Sequence, residues 1–433
     1  MLNFKRSFYQ VSQPIGDNIF LCSSFLSNSH ILLSKQCYEL FSGDDIDRLK
    51  ANHPNVFDRL RKGGFLVQAD VDELSRQKQT MWNTQEDNSV YHVIVNPTLD
   101  CNLNCWYCYE NKIHGSEMKE DVVSGICRHI IRYYEDHPFR KLKLSFFGGE
   151  PFMRPLVIKQ LVDFGSDFCT SKGIKLILDF TTNGTLISQS ILNHIKDYEC
   201  VFQITIDGNQ EQHNKIKYSK SKKLDAFTAT LRNIYRIQQS IKNSFVFVRV
   251  NFDKDTLTDF DSILRKLKGM DKNRTCVILK KVWQVDSEEI SKSEVMDVIE
   301  RLLQSGFVVD YYNQGGICFA DRRNQVTFNF DGNVFKCTTI SRFDEENSLG
   351  VLDTSTGDIL WDKEKTRYLS QREIQSRCEK CRMFPKCCGL CRKKMSLKHP
   401  EICFLDSLNL TIEEFALIQF KVELTKHKIY GGK

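Results

Sequence analysis

Apolar and polar positions follow three successive spacings along the chain. Over the first 85 residues, short alternating runs (SFYQV, NIFLCSS, HILLS) read as strands and precede two short helical stretches around Asp44 to Lys50 and Asn55 to Arg61. The Gly63-Gly64 pair breaks the pattern before the apolar run FLV, and the charged stretch from Asp70 to Glu86 reads as a linking helix. From Val93 to about Val285, the apolar runs VIVNP, KLKLSFF, KLILDFTT, VFQITID, FVFVRVNF and CVILKKV are separated mostly by longer amphipathic segments. In one of these segments Val122, Val123, Ile126, Ile130 and Ile131 recur at helical spacing, which predicts a single buried stripe. Repeated strand-helix units predict a parallel sheet, open or curled into a partial barrel, with function at the C-terminal strand ends. Beyond about residue 310, QVTFNFDGNVFKC alternates around Asp331-Gly332 and predicts a hairpin, and LTIEEFALIQFKVELTKHK predicts a last helix.

Composition narrows the class without naming it. A chain of 433 residues exceeds one ordinary module and predicts two to three domains. Hydrophobic content of 41% and charged content of 27% are those of a globular protein. No apolar stretch is long enough to span a bilayer and the first residues lack a secretory pattern, so the expected location is cytoplasmic, with no membrane partner. Lys+Arg 61 against Asp+Glu 55 leaves a net charge of +6, too mild to predict a nucleic-acid partner. The blocks KYSKSKK (217–223) and CRKKMSLKH (391–399) read as solvated faces.

The 17 cysteines change the picture, because three crowd into residues 101–108 and six into residues 378–403. Without an export signal, such clusters point to metal sites rather than disulfides. Cys101, Cys105 and Cys108 follow directly on the strand VIVNP. Three thiolates can hold three irons of a cubane and leave the fourth iron open to a small molecule. Zinc is the competing occupant, although no fourth ligand stands at zinc spacing here.

The C-x3-C-x2-C loop with an aromatic before its last cysteine resembles the radical S-adenosylmethionine superfamily. Ser145 to Pro151 (SFFGGEP) resembles the element of that family which binds the methionyl amino group. Two glycines allow close backbone approach there, and a carboxylate can pair with an ammonium. TTNG (181–184), TIDG (205–208) and VRVN (248–251) end successive strands in the family's order. The resemblance implies cofactor contacts from Tyr107, Gly148, Gly149, Glu150, Asn183, Thr205 and Lys217; Thr205 and Lys217 stand where Ser and Arg are usual. It also implies a partial (β/α)6 TIM-like barrel over 86–310. The implied chemistry is reductive cleavage of S-adenosylmethionine to a 5'-deoxyadenosyl radical that abstracts a substrate hydrogen, fed by an external flavodoxin- or ferredoxin-type reductant.

Downstream, Cys318, Cys337, Cys378, Cys381, Cys387, Cys391 and Cys403 resemble the SPASM extension of peptide- and protein-modifying radical enzymes, here residues 311–433. By that resemblance Cys318, Cys337 and Cys391 hold one auxiliary cluster and Cys378, Cys381, Cys387 and Cys403 the other, giving three 4Fe-4S clusters in all. The first auxiliary set is one ligand short. A substrate thiolate, Cys276, Cys388 or an oxygen residue remain open as the fourth. Cys22, Cys37, Cys127, Cys169 and Cys200 lie in apolar patterns and read as core residues. The expected substrate is a ribosomally made precursor peptide in which the enzyme forms a thioether or carbon-carbon crosslink, its leader held by the small α+β module at 1–85 through strand addition. Sulfatase maturation is the alternative, and Thr338, where maturing relatives have Asp after the second SPASM cysteine, counts against it. A non-catalytic zinc scaffold is the alternative of another class.

Overall fold

The computed structural model describes residues 3–219, 224–282, 290–311, 316–371, 374–389, 391–392 and 403–431. Residues 220–223 and 393–399 of the two basic blocks lie outside them. The chain divides into two compact units. One contains Met1–Glu86, Gln314–Cys318 and Tyr368–Lys428, and the other Asp87–Asn313, Phe319–Arg367 and Ile429–Lys433.

In the first unit, β1 (Phe4–Arg6) pairs antiparallel with β5 (Leu66–Gln68), and β2 (Gln10–Gly16), β3 (Ile19–Ser24) and β4 (Ser29–Ser34) form an antiparallel sheet. Helices Ile46–Asn52 and Pro54–Lys62 fall where the sequence places them. The additional helix Lys35–Ser42 escapes the pattern because only Cys37 and Phe41 of its eight residues are buried; Ser34 caps it. Cys22, Ile31, Leu33, Phe41, Leu49, Phe57 and Leu60 build the core of this region. A second cluster joins Tyr9, Met81 and Phe384, with Cys378 and Cys388 packed on it. Lys78 of helix Glu73–Glu86 also pairs with Glu379, so the cysteine segment packs on that helix. The last helix runs Ile412–Tyr430.

The second unit carries an 11-stranded sheet. Its parallel strands are β6 (Val90–Val95), β7 (Lys141–Phe146), β8 (Lys175–Thr182), β9 (Glu199–Ile206), β10 (Ser244–Phe252), β11 (Thr275–Lys281) and β12 (Val308–Asp310). The expected hairpin forms as β13 (Gln325–Phe328) and β14 (Asn333–Phe335). β13 then pairs parallel with β6 and extends the sheet, followed by β15 (Gly350–Leu352) and β16 (Ile359–Trp361). Burial alternates along β8, β9 and β10 as far as Val250, after which Asn251 and Phe252 are buried as well. Leu178, Phe180, Phe202, Ile204, Val246 and Val248 are fully buried, whereas Asp179, Thr181, Gln203, Thr205, Phe247 and Arg249 on the other face stay half-exposed. Helices cover the apolar face: Gly165 of helix Pro155–Lys172 sits against Leu144 and Leu176. The half-exposed face is the inside of the partial barrel, and that leaves its polar residues available for chemistry.

Helix Glu120–Asp136 departs from its expected stripe. Val122, Val123, Ile126 and Ile130 are buried, but Ile131 is 38% exposed and His129 is buried instead. Position 131 lies about 140° around the helix from 126, off the packed side. Cys127 on the same helix is only half-buried, unlike the core residues Cys22, Cys37, Cys169 and Cys200. His129 Nε2 accepts the Tyr91 hydroxyl at 2.6 Å and its Nδ1 donates to the Gly357 carbonyl at 2.8 Å. Burial holds its pKa down to about 4 from 6.5, so the folded chain keeps the ring neutral. Because the folded value is depressed, the stability involved is present above pH 6.5 and lost as pH falls through about 4. Relative to His129→Gln, the wild type should lose roughly 3 kcal/mol of unfolding free energy across that window, read by urea denaturation at several pH values.

Candidate active site

The Pro97–Asp100 segment leaves β6 and is clamped before the cysteines begin. Thr98 Oγ1 donates to the Ser116 carbonyl at 2.6 Å, and Asp100 accepts from the backbone of Cys101 and Gly115 and from His114. Leu103 is buried, Asn104 N donates to the Tyr218 carbonyl at 3.0 Å, and Lys112 Nζ donates to the Leu103 carbonyl. The loop between Cys101 and Cys108 is therefore pinned at its first residue and in its middle. Cys101 and Cys105 are half-buried and Cys108 is exposed.

The turn after β7 packs directly on this segment. Gly149 N donates to the Thr98 carbonyl at 3.1 Å and Glu150 N to the Asp100 carbonyl at 2.8 Å. A Cβ on Gly148, whose φ is 102°, would stand 2.3 Å from Thr98 O, and one on Gly149 2.2 Å from Asp100 O. Only glycine permits this approach. The Glu150 carboxylate is fully buried, and its oxygens accept from Thr182 Oγ1, from Asn183 N at 2.8 Å and from Phe152 N at 3.1 Å. Burial pushes its pKa up to about 6, against the pull of those hydrogen bonds. The side chain that the sequence offers to an ammonium thus ties the β7 turn to the end of β8. Asn183 continues the chain of contacts, with Nδ2 donating to Asn102 Oδ1 at 2.9 Å and its Oδ1 taking Thr185.

A second network joins the ends of β9 and β10 to the cysteine loop. Lys217 is 2% exposed, which overturns its reading as part of a solvated face. Its ammonium donates to the Thr205 carbonyl at 2.9 Å and to Thr205 Oγ1, and lies 3.4 Å from Asp207 Oδ2. Asp207 is wholly buried; it accepts the Tyr107 hydroxyl through Oδ2 and the Asn251 backbone through Oδ1. Asn251 Nδ2 donates to the Tyr107 oxygen at 3.1 Å. Neutral His213, its pKa lowered to about 3 by burial, accepts the Asp207 N–H. Tyr107, Thr205 and Lys217 are therefore brought together by Asp207 and Asn251, two residues the motifs contain but the sequence reading assigned no role. The signal available for Asp207 was its place at the end of an alternating strand, followed by Gly208.

Burial pushes the Cys101 thiol up to about 12 and the Cys105 thiol up to about 11. They are neutral thiols until a cation pairs with them, as iron would. Among the described residues no three Cys, His, Asp or Glu side chains are gathered into a ready metal cage. The three thiols share one pinned loop, and with the glycine turn beside it this donor set fits a cluster carrying an open iron and an amino-acid ligand.

Of the downstream cysteines, Cys337 lies in the second unit, half-buried, just after β14. Next to it the Thr338 carbonyl accepts Tyr109 OH at 3.3 Å, and Asn111 N donates to Ser341 O at 2.9 Å. Cys318, Cys378, Cys381, Cys387, Cys391 and Cys403 belong to the first unit. There, burial and then the neighbouring Cys403 and Cys378 raise the Cys387 thiol to about 12 despite a hydrogen bond to Gly389 O. Cys388 has φ 57° and packs its thiol into the Tyr9–Met81–Phe384 cluster, pointing to a core role.

Residues 95–267 match the family described as the Radical SAM superfamily. The radical SAM cyclopropyl synthase TigE of Paramaledivibacter caminithermalis is 20% identical, over 90% of this chain and 86% of that protein. A cysteine-type anaerobic sulfatase-maturating enzyme of Clostridium perfringens is 21% identical, over 68% of this chain and 86% of its own length. The solved structure of native anSMEcpe with bound AdoMet and Cp18Cys peptide has the same fold, with TM-score 0.57 at 16% identity over 79% of this chain and 100% of that one. The chain spans 38% and 50% of the lengths of two further curated relatives. No helix among the described residues is long and apolar enough to cross a membrane.

Proposed function

Because this chain carries a radical SAM domain and is related to maturases of peptides and proteins, we propose that it modifies a ribosomally made precursor peptide by hydrogen abstraction. The observation that carries the reading is the three-thiol loop packed against a glycine turn that no other residue could form. When bound, a 4Fe-4S cluster and S-adenosylmethionine supply the radical chemistry, a one-electron cleavage that yields methionine and a 5'-deoxyadenosyl radical.

The chain's own residues position that chemistry. Cys101, Cys105 and Cys108 hold the cluster. Gly148 and Gly149 bring backbone to the methionyl end, while buried Glu150 fixes the turn and the Asn183 backbone beside it. Lys217 keeps a positive charge beneath Thr205 for the carboxylate and ribose end, and Tyr107, held by Asp207 and Asn251, borders the adenine. Buried side chains around Asp207 exclude water from this corner.

Residues 1–85 serve as a leader-binding module, 86–310 as the barrel and 311–433 as the SPASM part. Cys318, Cys337 and Cys391 hold one auxiliary cluster and Cys378, Cys381, Cys387 and Cys403 the other, and an external flavodoxin- or ferredoxin-type protein in the cytoplasm delivers electrons. The product is a thioether or carbon-carbon crosslink. Support for a peptide substrate comes from a neighbour of the same fold solved with AdoMet and a peptide. Co-expression with each short reading frame beside the gene, followed by mass spectrometry, tests it: loss of two hydrogens per event is the expected result. Activation of a co-expressed sulfatase instead would transfer the chain to sulfatase maturation.

A further inference from the structure

The inner face of the barrel carries two cations that the cofactor reading does not use. Arg249 on β10 and Lys280 on β11 sit on neighbouring parallel strands in rows one step apart, because Arg249 pairs with Ile278 and Asn251 with Lys280. Both project from the inner face, since registered partners share a face and Arg249 is level with Thr205 on β9. Arg249 is half-buried and Lys280 exposed. Arg249 Nε donates to Asn251 Oδ1 at 2.8 Å, which aims the guanidinium from the same asparagine that holds Tyr107. Among the described residues no carboxylate ion-pairs with Arg249 or Lys280, and the guanidinium's terminal nitrogens make no hydrogen bond. Two acids lie near them, Asp310 in the row of Arg249 and Ile278 on β12, and Asp207, which accepts Asn251 N and lies 3.4 Å from the Lys217 ammonium; with Lys217 counted, this end of the face holds three positive charges and two negative. Lys280 stays exposed as a residue, but partial desolvation of its ammonium and then the Arg249 charge lower its pKa, and Asp310 only partly restores it. Like charges held together on a part-exposed sheet face without a full complement of counter-charge favour an incoming anion.

We propose that Arg249 and Lys280 form a carboxylate-binding subsite on the inner face of the barrel, which orients the substrate peptide through an acidic side chain or its C-terminal carboxylate. The subsite rests on the radical SAM peptide reading above. Its row is that of Thr205, so a peptide held there lies beside the residues assigned to the cofactor. Arg249 offers a planar fork suited to a carboxylate, and Lys280 adds a point charge to the same group. A peptide with a carboxylate at a fixed distance from its reacting carbon is thereby selected over a neutral one.

Equilibrium dialysis of the anaerobically reconstituted full chain tests this with three probes: N-acetyl-L-glutamic acid α-amide, its neutral isostere N-acetyl-L-glutamine amide, and N-acetyl-L-alanine, whose only carboxylate is terminal. One of the two carboxylate probes should bind better than the glutamine isostere, and which one identifies the source of the carboxylate. Lys280→Gln and Arg249→Gln should each weaken that probe by about tenfold to a hundredfold, with partial recovery in Arg249→Lys. Equal binding of all three probes, or of none, overturns the subsite. If the variants weaken S-adenosylmethionine and spare the probe, the carboxylate held is the cofactor's and the inference is wrong. Formation of 5'-deoxyadenosine by the wild type, measured in the same samples, separates the two levels: if it is present while the probes fail, only the subsite falls, and if it is absent, the parent reading falls and takes the subsite with it.

Discussion

Replacing Cys101, Cys105 and Cys108 together with alanine will remove about four irons per chain and abolish 5'-deoxyadenosine formation, while leaving the folded protein intact. The loop does not depend on its thiols for shape. Buried Leu103, the Asn104–Tyr218 contacts and Lys112 on the Leu103 carbonyl hold it, and the thiols contribute little packing because they are half-buried or exposed. Thermal unfolding of the reconstituted variant should therefore stay close to that of a Cys127→Ala control, which alters a half-buried helical thiol and should keep every iron. Anaerobic iron and sulfide analysis beside chromatography of the nucleoside product provides the measurement. Zinc without sulfide in the wild type, or undiminished 5'-deoxyadenosine from the triple variant, would reject the radical reading in favour of a metal scaffold.

Gly149→Ala should be nearly as damaging without touching a single ligand. Its Cβ would stand 2.2 Å from Asp100 O and 2.7 Å from Asp100 C, both backbone atoms that cannot rotate aside. Relief requires the β7 turn to back away from the cysteine segment, which breaks Gly149 N to Thr98 O and Glu150 N to Asp100 O. The overpacking costs roughly 1 to 3 kcal/mol of stability. A displacement of about 1 Å between cluster loop and methionyl site costs on the order of a hundredfold in rate. The expected outcome is a chain that retains its iron, binds S-adenosylmethionine weakly and forms 5'-deoxyadenosine at about one-hundredth of the wild-type rate. A variant with unchanged affinity and rate would place the cofactor away from this turn.

The six apolar runs named from the sequence all become parallel strands of the main sheet, and the hairpin around Asp331-Gly332 forms where its alternation puts it. Those features, with the spacing of Cys101, Cys105 and Cys108 and the paired glycines at 148 and 149, are properties of short stretches; strand period and ligand spacing are read without knowing what lies opposite. The other outcomes depended on neighbours remote in sequence. Tyr107 and Asn251 meet across 144 positions, and Asp207 draws them toward Lys217 only because the ends of β9 and β10 are adjacent. Glu150 turns inward since Thr182 and the Asn183 amide wait at the end of the next strand, where an unbonded carboxylate could not stay buried. The same holds for β13 pairing with β6, for His129 rather than Ile131 entering the core, and for Cys388 packing against Phe384. A chain declares its periods and its ligands locally, but a buried polar group finds its partner only once the strands have taken their order, and that is a tertiary decision.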